Sequence, residues 1–209
     1  MSKRKAPSKT FGFTPGELRI LRSLSTPAKV QRFLDKLPYH INAPTAWSPR
    51  RVLRERTAHC CEGSIFAAAA LRVNGYPPLV FDLEAHRDTD HVIAIFKERG
   101  RWGAVAASNY MGCRYREPVY LSLRELAMSY FEEYFNMAGE RTLRTYSRPV
   151  NLARFDSIKW MTTEEEIWDI PNYLVDIPHI RLFTPEMEKA LTRMDDWSFH
   201  ARMTGHRWK

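Results

Sequence analysis

Apolar and polar positions along this chain form short amphipathic stretches around one segment that is apolar on nearly every side. Thr14-Pro15-Gly16-Glu17 has the makeup of a helix start: Thr as N-cap, Pro in the first turn, and Glu three residues on to close a capping box. Leu18, Ile20, Leu21 and Leu24 supply its apolar stripe, and Thr26-Pro27 opens a second helix lined by Val30, Phe33, Leu34 and Leu37. Pro38, Pro44 and Pro49 then mark a connection that contains Trp47. The run from Cys60 to Asn74, with Ser64-Ile65-Phe66-Ala67-Ala68-Ala69-Ala70-Leu71 at its heart, predicts a helix buried at the centre of the protein. Gly75 ends it and Pro77-Pro78 prevents its continuation.

Three strand-like stretches follow, Leu79–Glu84, His91–Lys97 and Trp102–Ala106, the last two joined by a hairpin at Glu98-Arg99-Gly100-Arg101. Ser122 and Glu125 form a second capping box, opening a helix expected to reach about Met137. Thr163 with Glu166 predicts a short helix, and Thr184-Pro185 one that runs to about Asp196. Helices, then a buried helix, then antiparallel strands, then more helices read as an α+β domain, with the central helix packed on the sheet and helices flanking at both ends. Residues 1–12 read as a basic flexible tail, 13–197 as a single domain with its chemistry-bearing core at about 45–135, and 198–209 as a basic C-terminal tail.

Charge changes this picture in one place. Of the net +8, residues 1–60 hold 13 Lys/Arg against 3 Asp/Glu, whereas 61–209 hold 19 against 21. Knots of charge sit at Lys3-Arg4-Lys5 and at Arg50, Arg51, Arg54 and Arg56. An acidic partner for this N-terminal third is a candidate; nucleic acid ranks below it, because no recognition helix or aromatic RNA-binding signature accompanies the charge. No apolar run approaches the roughly 18 residues a membrane span requires. The basic start is followed by no apolar stretch, so no secretory signal is expected, and three cysteines, two of them adjacent, offer no disulfide framework. A cytoplasmic location is the expectation.

Thr57-Ala58-His59-Cys60-Cys61-Glu62-Gly63 is where chemistry concentrates. A cysteine in the first turn of a buried helix meets the positive end of the helix dipole, which favours the nucleophilic thiolate. Asp90-His91-Val92 places a histidine at the head of an alternating strand, 31 positions after Cys60, where it can pair with the thiolate and act as general acid and base. On a helix, His59 would point about a third of a turn away from Cys60. The cluster His59, Cys60, Cys61, His86, Asp88, Asp90 and His91 lacks the spacing of a zinc site, so no metal is expected. Glu84, Asp88 and Asp90 read as a solvated loop in preference to an acidic rim beside His91.

Together these residues resemble the transglutaminase-like cysteine enzymes of the papain-like fold. The resemblance is carried by Cys60 at a helix start, Arg72 near that helix's end, Gly75-Tyr76-Pro77, Asp90-His91-Val92 and Gly100-Arg101-Trp102, and it covers residues 57–109. It implies Cys60 as nucleophile, His91 as its partner, and a third residue that orients the imidazole. There the sequence departs from the family, because the position of the expected Asp is Ala106. Ser108 shares its strand face and Asn109 has the better chemistry, so both are candidate replacements. Trp47 is the candidate oxyanion donor beside the Cys60 N–H, and Arg114 a candidate substrate contact.

The resemblance implies a hydrolase or acyl transferase acting on a peptide or small amide through a thioester intermediate, as peptidase, amidase, deamidase or transglutaminase, with no metal or organic cofactor. The missing Asp supports the alternative, an inactive copy of the fold that binds a peptide or an acidic partner.

Overall fold

The computed structural model describes residues 10–41 and 44–204; the Lys3-Arg4-Lys5 knot and residues 205–209 fall outside them. Helices α1 (Pro15–Ser23) and α2 (Pro27–Leu34) begin at the Thr-Pro signals, and the Thr14–Glu17 capping box forms in both directions. Ser48-Pro49 repeats the same signal and opens α3 (Pro49–Glu55), where the prolines predict only a connection. The buried helix α4 (Cys60–Val73) follows, with Ile65 through Leu71 wholly out of solvent.

Strands β1 (Leu79–Ala85), β2 (His91–Glu98) and β3 (Arg101–Val105) lie close to their expected limits. The hairpin between β2 and β3 turns on Arg99 and Gly100, both at positive φ (50° and 78°), as a two-residue turn matched to strand twist demands. Strand β4 (Arg116–Tyr120) leads into α5 (Leu123–Met128). That helix stops far short of Met137, because the Ser129 hydroxyl turns back onto the Leu126 carbonyl at 2.6 Å and a 3-10 turn, Phe131–Glu133, takes over.

Strands β5 (Leu143–Ser147) and β6 (Val150–Asn151) come next, followed by a 3-10 stretch, Leu152–Ile158. No helix starts at Thr163. Its hydroxyl caps only Glu165 N, and the Glu166 carboxylate instead accepts from Ala46 N at 2.6 Å and pairs with Arg51. The helix of this region is α6 (Asp169–Asp176), then β7 (His179–Arg181) and a short α7 (Pro185–Lys189). Helix α8 (Asp196–Met203), N-capped by Asp195, occupies much of the segment read as a tail. At the other end, Arg50 donates to the Gly12 carbonyl at 2.7 Å and the Arg72 guanidinium lies over the Phe11 ring, which docks the last part of the segment read as flexible.

The strands make one antiparallel sheet in the order β4-β3-β2-β1-β5-β7, with β6 also on β1. Both faces are covered. Val80, Val92, Ala94, Phe96 and Val105 pack with α4 and the N-terminal helices, while Phe81, Leu83, Ile93, Ile95 and Ala104 pack with Leu126, Tyr130 and Tyr134. Alternation along each strand therefore divides its apolar residues between two cores, so the central strands read as continuous apolar runs. The architecture is α+β. Among the described residues no helix is long and apolar enough to cross a membrane.

Candidate active site

The start of α4 and the start of β2 meet at one end of the sheet, and a single hydrogen bond sets their register. Ser64, one turn into the helix after Cys60, donates to the Val92 carbonyl at 2.6 Å, next to His91. Gly63 allows the close approach beneath it: a Cβ there would collide with that of Ala107, where the chain leaves β3.

Cys60 is the first residue of α4 and remains partly open to solvent, whereas Cys61 and Cys113 are buried. The rings of His59 and His91 flank its thiol. Burial alone pushes this thiol up, but its interactions with the two rings and their charges outweigh it and bring Cys60 down to about 5. Burial likewise opposes a charge on His59, yet the interaction with Cys60 and the nearby Glu62 carboxylate lift it to about 9. Cys61 is pushed well up by burial, and Cys113 up to about 12 by the same cause. Of the three thiols, one is both lowered and partly open to solvent.

His59 reaches Cys60 because it is the N-cap and not part of the helix: its backbone is extended (φ −90°, ψ −176°), which overturns the expectation that it points away. In its neutral form the ring takes the Cys61 N–H on Nδ1 at 3.2 Å and gives its Nε2–H to the Thr45 carbonyl at 2.8 Å. Glu62, fully buried, holds this corner together by accepting from Thr45 Oγ1, Trp47 N and His59 N at 2.6, 3.0 and 3.2 Å. A carboxylate in the first turn also suits the helix dipole.

His91 lies edge-on to Tyr130 and Tyr134, and its Nε2–H donates to the backbone carbonyl of Cys113 at 2.9 Å. That leaves Nδ1 as the ring nitrogen for the thiol. The Nε2–H is thus oriented by a main-chain oxygen. Ser108 Oγ instead accepts from Tyr110 N at 3.1 Å, and both Ser108 and Asn109 line the cavity in front of Cys60. Ala106 is bound through its backbone: Gln31 of α2 donates to its carbonyl at 2.9 Å and accepts from its N–H at 3.0 Å.

With the geometry in place, comparison with protein-family models and with curated proteins finds no match to the chain.

The Cys60 N–H points to the hydroxyl of Tyr39 at 3.2 Å, a residue the sequence reading passed over. Burial and the adjacent Cys60 charge hold the Tyr39 proton on, well above the ordinary phenol range. Trp47 does not take the position expected for it. It stacks on His40 at 4.6 Å beneath the Arg51 guanidinium, outside the cavity lining, and its Nε1 has no partner among the described residues. Arg114 is likewise turned aside, to the Ser108 carbonyl at 3.1 Å and Asp35 at 3.4 Å, and lines a separate, smaller cavity. The cavity at Cys60 has a volume of about 870 Å³ and is walled by Tyr39, Ile41, Pro44, Tyr110, Tyr134 and Phe135. Among the described residues no three His, Cys, Asp or Glu side chains converge as a metal site.

Tyr39 and the Cys113 carbonyl left little trace in the sequence. Tyr39 sits among prolines, and a main-chain acceptor belongs to no residue type. His59 and Glu62 are an N-cap and its partner three residues on, a capping signal that the reading of His59 as helical missed.

Proposed function

We propose that this chain is a cysteine-dependent amide hydrolase or acyl transferase of the transglutaminase-like kind, with a papain-like arrangement of helix and sheet. The observation that carries the reading is the partly open Cys60 thiol, lowered to about 5 between His59 and His91 while the two other thiols are buried and raised.

In this reading the Cys60 proton passes to His91 Nδ1, and the thiolate adds to an amide carbonyl. The oxyanion that forms takes a hydrogen bond from the Tyr39 hydroxyl, whose oxygen itself accepts from the Cys60 N–H at 3.2 Å. The C–N bond then breaks as His91 delivers its proton to the departing nitrogen, leaving a thioester on Cys60. A water, deprotonated by His91, breaks the C–S bond and releases the acid; an amine in its place gives transfer. The Cys113 carbonyl keeps the imidazole oriented throughout, the function a carboxylate serves elsewhere.

The test is the pH dependence of iodoacetamide labelling, mapped by mass spectrometry, on the wild type and on His91→Ala. Cys60 should label selectively below pH 7 and lose that reactivity without His91. A Cys60 that titrates near the ordinary ~8.5 of a thiol, or never labels, overturns the reading in favour of a binding scaffold.

A further inference from the structure

The carbonyl that holds His91 belongs to a 3-10 turn, Met111–Cys113, and the side chain that grips this turn is Arg116, at the head of β4. Its half-buried guanidinium makes four hydrogen bonds. Nη2 donates to the Gly112 carbonyl at 2.7 Å and to the Ser129 carbonyl at 3.0 Å. Nε donates to Ser129 Oγ at 2.9 Å and Nη1 to the Tyr115 carbonyl at 3.1 Å. The same guanidinium lies over the Tyr130 ring, 3.9 Å from its centre. Where Arg50, Arg72 and Arg144 each grip a carboxylate, all four of these bonds end on neutral oxygens.

These contacts tie together the two groups that meet the imidazole. Gly112 immediately precedes Cys113, whose carbonyl takes the Nε2–H, and Tyr130 immediately follows Ser129 and meets the His91 ring edge-on at 6.4 Å. Tyr130 is wholly out of solvent and joins the same assembly through its hydroxyl, which donates to the Arg114 carbonyl at 2.9 Å. Burial raises the Cys113 thiol and the Tyr130 hydroxyl alike, and at both the Arg116 charge is the leading influence in the opposite direction. A planar fork of N–H donors serves acceptors in several directions at once, which the compact charge of a lysine does not. Position is what matters here, since misplacing a catalytic group by about 1 Å costs on the order of 10²-fold in rate.

We infer that Arg116 is a positioning residue for His91: by clamping the Met111–Cys113 turn to Ser129 and Tyr130, it keeps the Cys113 carbonyl on Nε2 and Nδ1 turned to Cys60. The inference rests on the cysteine–histidine reading of the site for its catalytic meaning. Arg116, Ser129 and Tyr130 all stay outside the cavity lining, so their effect reaches the thiol through the turn and the ring and not through contact with a substrate.

The experiment measures the pH profile of iodoacetamide labelling at Cys60 on the wild type, Arg116→Gln and Arg116→Lys. Thermal unfolding reports the fold of each, and labelling at pH 10 reports access to the thiol. On the wild type the midpoint should lie near the lowered value of about 5. In Arg116→Gln it should rise by about one pH unit, which at pH 5 cuts the reactive thiolate about fivefold, while the rate at pH 10 stays unchanged. Arg116→Lys keeps the charge and loses the fork, and should behave like Arg116→Gln. An unmoved midpoint in Arg116→Gln overturns the inference and leaves the nucleophile intact. A wild-type midpoint in Arg116→Lys also overturns it, because charge and not the clamp would then be the cause. Should Arg116→Gln not fold, Ser129→Ala, which takes away the Nε acceptor, carries the test: its midpoint should rise by a smaller amount, and an unmoved one overturns the inference. A wild-type Cys60 that titrates as an ordinary thiol overturns both the inference and the catalytic reading beneath it.

Discussion

The imidazole of His91 is held by the main-chain carbonyl of Cys113, 2.9 Å from Nε2. The acceptor comes from a short 3-10 turn, Met111–Cys113, that follows β3 and passes under the cavity. A carbonyl accepts the ring N–H as a carboxylate would and fixes the same tautomer, but it brings no full charge to stabilise the imidazolium.

Cys113→Ala should therefore leave the pH profile of Cys60 labelling unmoved, because the variant keeps the carbonyl. The cost falls on stability: the Cys113 thiol donates to the Glu133 carbonyl at 3.3 Å, a contact worth about 1 kcal/mol or less. Thermal unfolding and labelling, measured together, separate the two effects.

Gln31 completes the hydrogen bonding of Ala106 from a neighbouring helix, and it is almost fully buried. Gln31→Leu fills similar space but abandons a buried N–H and a buried C=O. Two unsatisfied groups at roughly 1–3 kcal/mol each should exceed any gain from the apolar side chain. Chemical denaturation should show a loss of about 3 kcal/mol; a change under 1 kcal/mol would mean the backbone finds water or another partner.

Two opposing terms meet at Gly63. Alanine is the better helix former by about 1 kcal/mol, yet its methyl would strike Ala107. Overpacking in a dense core costs about 1–3 kcal/mol, so Gly63→Ala should destabilise on balance. Because that clash also pushes α4 away from the end of β3, labelling of Cys60 at pH 6 should slow as well.

On the same face of β1 as Val80, the buried Asp82 accepts from His179 of β7 at 2.9 Å, and this bond, more than any other influence, raises His179 above the ordinary histidine value. The second ring nitrogen is 2.8 Å from the Ile177 carbonyl, which suits a ring protonated at both positions. A raised histidine stabilises the fold fully below its unfolded value of about 6.5 and loses that contribution as pH rises through the higher folded value. Asp82→Asn should therefore cost about 2 kcal/mol near pH 6. Denaturation series at pH 6 and pH 9 should show the gap between variant and wild type narrowing at the higher pH.

Legibility in the sequence followed the range of the interaction. Thr14 and Glu17 meet within one turn, and Arg99-Gly100 bends within two residues, so both were readable. The all-round apolar run of α4 pointed to a central helix, and Cys60 and His91 were singled out and lie together beside it. Glu166 was misread because Thr163 offers a local cap, while its carboxylate is claimed by Ala46 and Arg51 from the far side of the chain. Strands β5 and β7 carry Thr, Tyr, His and Arg among their few apolar residues, and it is their neighbours in the sheet that make them strands. Tyr39 and the Cys113 carbonyl enter the site through contacts 21 and 22 residues distant in sequence, which no local pattern encodes.

An atom shared by all twenty amino acids cannot be lost by exchanging one side chain for another. The Cys113 position should then be permissive in identity, and the turn around it strict in length. Substitutions of Cys113 itself that keep the turn would pass unnoticed in a library selected for Cys60 reactivity, whereas a one-residue insertion or deletion nearby would carry the oxygen away from the ring. Descendants of such a chain could diverge freely in spelling here while their alignments stayed free of gaps.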